Sequence, residues 1–339
     1  MMDKLIAEFP KQLLEAIEIG KKAKLTAAVN TIQNIVVAGM GGSGIGADFA
    51  IEFTAKERSV PMLTSKSYGL PAFVNKNTLL ICSSYSGNTE ETLHSFEEGL
   101  QKGAKIVCVT SGGKLLELAK EHGLDYIELP NTGNSPRACL GYSLIQQLFI
   151  LNFFGFCSSD RIKEVEKVVP LLEQDQEILQ LKANKTARFL VGRFPIIYAT
   201  DRMGAVAVRL RQQFNENAKI LCSHHIIPEM NHNELVGWRK QPNEFAVIIF
   251  RTKDDHPRNQ ARIDINKEII GNFTNTIIEF FAKGDSLIEQ AFYAVHFGDW
   301  LSWEVSVLRE VDAVEVKVID YLKSELAAVG STADAKGDK

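Results

Sequence analysis

Residues 78–100 read TLLICSSYSGNTEETLHSFEEGL. The first five form an unbroken apolar run, the composition of a strand buried on both faces. Further on, Leu93, Phe96 and Leu100 recur at helical spacing, the stripe of an amphipathic helix. Between strand and helix the chain turns through Ser83, Ser84, Tyr85, Ser86, Gly87, Asn88 and Thr89. A hydroxyl-rich turn at this place meets the unpaired N–H groups and the positive dipole end of a helix N-terminus, which favour an anion. Ser84, Ser86 and Thr89 add neutral donors, and Gly87 lets backbone approach a ligand closely. The loop has no lysine or arginine, which suits a phosphate monoester held by many neutral donors. The competing explanation is helix capping, the ordinary job of Ser, Asn and Thr at this position.

Outward from this turn, apolar runs alternate with helical patterns. Strands are expected at 34–38, 62–65, 78–82, 105–109 and 126–128, and helices at 44–54, 89–101 and 114–121. That alternation implies a parallel sheet with helices on both faces and ligands beyond the carboxyl ends of its strands. Residues 137 to about 180 read as mainly helical, with a charged stretch from 158 that bridges to a second alternating series. There FPIIYATDRMGAVAVRLRQQFNENAK (194–219) repeats the strand, turn and helix order of NIVVAGMGGSGIG (34–46), and further strands are expected at 245–251 and 276–280. The fold class is therefore α/β, two doubly wound parallel-sheet units with flanking helices. The boundaries are placed at 1–155 and 156–330, with a flexible small-residue tail at 331–339. The second copy has Thr200, Asp201 and Arg202 where the first has glycines, and Asp201 would repel a phosphate.

Gly39, Gly41 and Gly44 match the dinucleotide-binding fingerprint by letter. That pattern wants an acid at the end of the next strand, and PMLTSKS (61–67) supplies Lys66 instead. A nicotinamide-dependent oxidoreductase is thus the weaker alternative, and close strand–helix packing is another explanation for the glycines. Composition narrows the class further. The 339 residues are 45% hydrophobic and 24% charged with net charge −4, so no basic footprint points to nucleic acid. Five scattered cysteines, Cys82, Cys108, Cys139, Cys157 and Cys222, form no C-x-x-C pair and read as reduced core residues. Neither a signal peptide nor a membrane span is expected, and the location implied is cytoplasmic.

The motif Ser-x-Ser-Gly-x-Thr at 84–89, with Gly-Gly-Ser-Gly at 41–44, resembles the sugar isomerase (SIS) domain family. NSPRACLGYSL (134–144), QQFNENAK (212–219) and PEMNHNELVGW (228–238) narrow the resemblance to bifunctional phosphoglucose/phosphomannose isomerases. It runs from about 35 to about 326. The resemblance implies a cofactor- and metal-independent aldose–ketose isomerase acting on sugar phosphates through a cis-enediol. It places Gly42, Ser43, Ser84, Ser86 and Thr89 around the phosphate and sugar. It makes Glu216 the base, His232 the ring-opening group given by a neighbouring subunit of a homodimer, and Arg137 the stabiliser of the enediolate. VIDYLKSEL (318–326) brings Lys323 as a helper at the ring, although Ala313 stands where the family often has proline.

From the residues alone, Arg209, Gln213 and Glu216 share one helix face, and Glu216 ends that helix beside Asn215 and Asn217. A non-catalytic phosphosugar-binding regulator is the alternative of another class, although no helix-turn-helix segment is apparent. His224, His225, Glu229, His232 and Glu234 crowd into eleven positions and raise a zinc site as a further alternative. They lack H-E-x-x-H spacing, and Pro228 breaks any helix that would align them.

Overall fold

A computed structural model describes residues 1–133, 135–239 and 244–334. Asn134, at the head of one family-like segment, and the tail 335–339 lie outside the described residues. The first unit opens with helices α1 (Met2–Ala7) and α2 (Phe9–Lys22), followed by β1 (Asn34–Ala38), α3 (Gly41–Thr54), β2 (Met62–Ser65) and β3 (Thr78–Ser83). It continues through α4 (Glu90–Gln101), β4 (Lys105–Thr110), α5 (Gly113–Glu121) and β5 (Asp125–Glu128). A one-turn 3₁₀ helix, Pro136–Cys139, leads into α6 (Leu140–Phe153), and α7 (Asp160–Leu190) crosses to the second unit. That unit comprises β6 (Phe194–Thr200), α8 (Gly204–Glu216), β7 (Ser223–Ile227), β8 (Phe245–Arg251), α9 (Pro257–Gly271), β9 (Ile277–Phe281), α10 (Leu287–Leu308) and α11 (Lys317–Asp334).

Both sheets are parallel. Their orders are β2-β1-β3-β4-β5 and β7-β6-β8-β9, so four strands of each follow one scheme. Each order reverses between its first-formed strand and the third, and there a crevice opens beyond the strand ends. The residues sort by face as the pleat requires. Ile35, Val37, Leu79 and Ile81 enter a core shared with Ile197, Ala199 and Ile248 of the second sheet. Val36, Leu80 and Cys82 face an outer layer under α4 and α5, and Tyr198, Val247 and Ile249 do so in the second unit. Between the sheets lie α2, α3, α6, α7, α8 and α10. Nearly every side of α10 is buried, which explains why its sequence is apolar all round.

The predicted strands are present, mostly to within a residue. Three differences stand out. The helix expected from 44 begins at Gly41, so Gly42 and Ser43 belong to its first turn. The charged stretch from 158 is one continuous 31-residue helix. Strand β7 escaped the sequence because Ser223, His224 and His225 make it polar, as suits a half-buried edge strand. Cys82, Cys108, Cys139 and Cys157 are buried, Cys222 is half-buried, and all five are free thiols. Among the described residues, no helix is long and apolar enough to cross a membrane.

Candidate active site

At the carboxyl end of the first sheet, the loops after β1 and β3 touch. The Tyr85 N–H donates to Ser43 Oγ at 3.3 Å, linking them across the crevice. Ser84, only 2% exposed, shares a 2.8 Å hydrogen bond with Thr89 and accepts the Gly87 N–H at 3.1 Å. The exposed Ser86 accepts from the Asn88 N–H at 3.3 Å. Thr89 is the N-cap residue of α4, yet its side chain makes no capping bond to the helix. Its hydroxyl turns inward to Ser84, so the capping explanation does not account for it. Gly87 sits at φ +71°, and a Cβ there would fall 1.8 Å from the Gly112 carbonyl. Only glycine allows this turn. Tyr85 fixes the loop from behind, donating its hydroxyl to the Pro130 carbonyl at 2.8 Å.

The third wall is the 3₁₀ turn carrying Arg137. A Cβ on Gly42 would lie 3.1 Å from the Pro136 carbonyl and 3.6 Å from the Arg137 Cα, so the glycine loop and this turn are in direct contact. The Arg137 side chain, 5% exposed, points to the second unit. Its Nε donates to Asn217 Oδ1 at 2.7 Å and one terminal nitrogen to Glu216 Oε2 at 3.3 Å. The other terminal nitrogen donates to the carbonyls of Ala313 and Val314, in the segment that joins α10 to α11. Burial lowers the proton affinity of this guanidinium, while the Glu216 charge works the other way. An arginine remains a cation under such pressure.

Glu216 is set in place from within its own helix. Arg209 and Gln213, two turns and one turn earlier on α8, both reach the buried Asp299 of α10, at 2.7 and 2.8 Å. Arg209 also donates to the Arg137 carbonyl at 3.1 Å. Asn217 donates to Ser302 at 2.9 Å while accepting from Arg137. The shared face read from sequence is therefore real, but Arg209 and Gln213 are tied into the core, and only the Glu216 side chain, half-buried against Arg137, stays partly open to solvent. A cavity of about 350 Å³ opens beside it, lined by Asn215, Glu216, Lys219, Glu315, Lys317 and neighbouring apolar side chains.

The remaining predicted residues lie elsewhere. His232 is exposed on a 3₁₀ turn beyond the carboxyl end of β7. Glu216 ends the 13-residue helix α8, about 20 Å back along the second unit. One chain does not bring the two together. The loop bearing His232 is nonetheless firmly held. Met230 is buried, Asn231 donates to Asn266 at 2.6 Å, and Glu234 accepts from the Tyr198 hydroxyl and bonds His225 at 2.9 Å. Within the crowded His/Glu group, His225 bonds Glu234, and Glu229 accepts from Asn233 at 2.9 Å. Lys323 is exposed on α11. Lys66 does not await a ribose: its ammonium is paired with Asp48 of α3. Gly39 and Gly44 pack strand against helix, each leaving no room for a Cβ.

Asp299 and Lys219 were not singled out from sequence, and Asn217 and Ala313 were noted there only as a neighbour of Glu216 and a departure from the family pattern. Asn217 and Lys219 sit inside the family-like segment next to Glu216, and Asp299 is an isolated acid in the apolar run of α10. Both were available signals.

Two parallel sheets of one strand order, with a hydroxyl-lined loop at the switch point of the first and Arg137 joining that unit to Glu216 of the second, define the class: a two-unit α/β protein of doubly wound sheets. Residues 179–326 match the bacterial phospho-glucose isomerase C-terminal SIS domain. Among curated proteins, a bifunctional phosphoglucose/phosphomannose isomerase of Caldicellulosiruptor bescii is 35% identical, with 96% of this chain and 98% of that protein covered. One of Aquifex aeolicus is 38% identical over 87% of this chain and 90% of its own. The chain belongs to the bifunctional phosphoglucose/phosphomannose isomerase family. At the level of fold alone it is similar to the C-terminal domain of glucosamine-fructose-6-phosphate aminotransferase from Francisella tularensis, with TM-score 0.71 and 15% identity over 93% of this chain and 98% of that one.

Proposed function

We propose that the protein interconverts glucose 6-phosphate or mannose 6-phosphate with fructose 6-phosphate. The observation that supports this is the chain of contact from Gly42 to Arg137 to Glu216, which links an acid of the second unit to the loops of the first sheet. In this reading Ser43, Ser84, Ser86 and Thr89 hold the phosphate with hydroxyl and backbone donors, and α4 adds its N-terminal dipole.

The chemistry then needs one proton moved between adjacent carbons. The Glu216 carboxylate removes the hydrogen on C2 of the open-chain aldose. The C–H electron pair becomes the C1=C2 double bond, and the carbonyl pair moves onto O1. The proton on O2 passes to O1, the O2–H electron pair becomes the C2=O bond, and the C1=C2 pair takes the returning proton at C1, which gives the ketose. Arg137 offers fixed positive charge to the enediolate oxygens. Acceptance of both epimers follows because the planar enediol has lost the C2 configuration.

His232 would open the ring from a neighbouring chain, making the site the property of a homodimer. Two features support this: a well-anchored loop displays an exposed histidine far from its own Glu216, and α11 exposes Val318, Tyr321 and Leu322. Lys323, on that same helix, would assist at the ring. The proposed steps use no cofactor or metal. Glu216→Gln tests the base: turnover in a coupled assay with either aldose phosphate should fall at least about a thousandfold, with sugar phosphate binding retained. Wild-type turnover in this variant would remove Glu216 from the mechanism.

A further inference from the structure

Two cations grip the segment joining α10 to α11, and only Arg137 has a role so far. The second is Lys219, three residues beyond Glu216. Its Nζ donates to the Glu216 carbonyl at 2.5 Å and to the Glu315 carbonyl at 2.8 Å. The Glu315 carboxylate is 3.8 Å away. Lys219 and Glu216 line the same cavity. The Lys219 backbone is left-handed, with φ +55°. At a helix end that conformation is usually given to glycine, because other residues lose about 1–2 kcal/mol there. Here the strained position carries a half-buried ammonium directed at two carbonyls. Burial lowers its proton affinity, and the Glu315 charge partly restores it.

We infer that Lys219 is a positioning residue for the isomerase reaction, fastening the last turn of α8 to the 312–316 segment so that Glu216 is held at a fixed distance from Arg137. Its ammonium also adds a second positive charge beside the carboxylate. The charged groups sharing this space are Arg137 from the 3₁₀ turn, Lys219 from the end of α8, Asp312 and Glu315 from the joining segment, and Lys317 at the start of α11. A lysine here, unlike the glycine the backbone favours, couples the geometry of the base to the departure of α11. This inference rests on Glu216 being the base.

The test compares Lys219→Gly, Lys219→Arg and Glu216→Gln in the full-length protein. Glycine relaxes the left-handed residue, so the melting temperature should not fall, and lost activity cannot be ascribed to a lost fold. The expected result for Lys219→Gly is a kcat lower by about ten- to a hundredfold, with KM changed by less than about threefold because the phosphate loop belongs to the other unit. Lys219→Arg should restore part of kcat. Wild-type kcat in Lys219→Gly, with Glu216→Gln inactive, would overturn the role of Lys219 alone. An active Glu216→Gln would overturn the base assignment and this inference together.

Discussion

The turns after β3 and β8 occupy the same place in two sheets of one strand order, and so do the N-termini of α3 and α8. In the first unit these positions present glycines and hydroxyls that bond one another and adjacent amides. In the second, acidic side chains of the chain itself take them. Asp255 accepts from the Thr252 N–H at 2.8 Å, the Thr252 hydroxyl at 3.1 Å and the Thr200 hydroxyl at 2.8 Å. Glu52, reaching across from α3, accepts the Ala205 N–H at 2.8 Å in the first turn of α8. A topology that gathers backbone donors at two mouths therefore needs an acceptor at each. The second mouth receives its acceptors from within the protein, and in the function proposed above the first offers its donors to a substrate.

The largest expected effect separates the two turns by function. Ser84→Ala with Ser86→Ala should raise KM for the sugar phosphates by about a hundredfold or more, as two hydrogen bonds to a charged group are lost. Thr252→Ala in the second turn should leave KM unchanged. Equal KM effects from both turns would break the comparison.

A smaller effect concerns folding. Asp255→Ala leaves the buried Thr200 hydroxyl and Thr252 amide without their acceptor. Urea unfolding should show a loss of about 1–3 kcal/mol, with KM unaltered.

The subtlest effect is in pH dependence. Burial pushes the Glu52 carboxyl up to about 8, with Asp48 and Asp201 adding to the rise and the Ala205 N–H opposing it. A carboxyl whose folded pKa lies above its unfolded value stabilises the fold most at low pH. Its contribution is complete below the ordinary carboxylate range and is lost as pH rises through about 8. Melting temperatures between pH 5 and pH 9 should therefore decline more steeply for the wild type than for Glu52→Gln. Parallel curves would show that Glu52 titrates normally.

Much of this was legible in the letters because local rules and global fold agree there. The strands at 34–38, 62–65 and 245–251 are apolar runs ended by turn residues, and they form where those runs lie. The turn at 84–89 was readable as a strand-to-helix turn because hydroxyls and a glycine follow an apolar run there, but its use was not, since capping is the ordinary job of such residues. What could not be read were pairings over long sequence distance. Nothing near Arg137 announces that it reaches Asn217, Ala313 and Val314, and nothing near Arg209 names Asp299 as its partner. The positions of His232 and Lys323 were also out of reach, because what they face depends on surfaces rather than on periodicity. Lys219 left a faint trace: a lysine three residues past the last residue of a helix, near where glycine is the common choice.

A crystal structure with fructose 6-phosphate bound tests the central claim most directly. The phosphate should sit within hydrogen-bond distance of the Ser84 and Ser86 hydroxyls, with C1 and C2 within reach of the Glu216 carboxylate. Phosphate seated instead at Thr252 and Asp255, or sugar carbons remote from Glu216, would contradict the account.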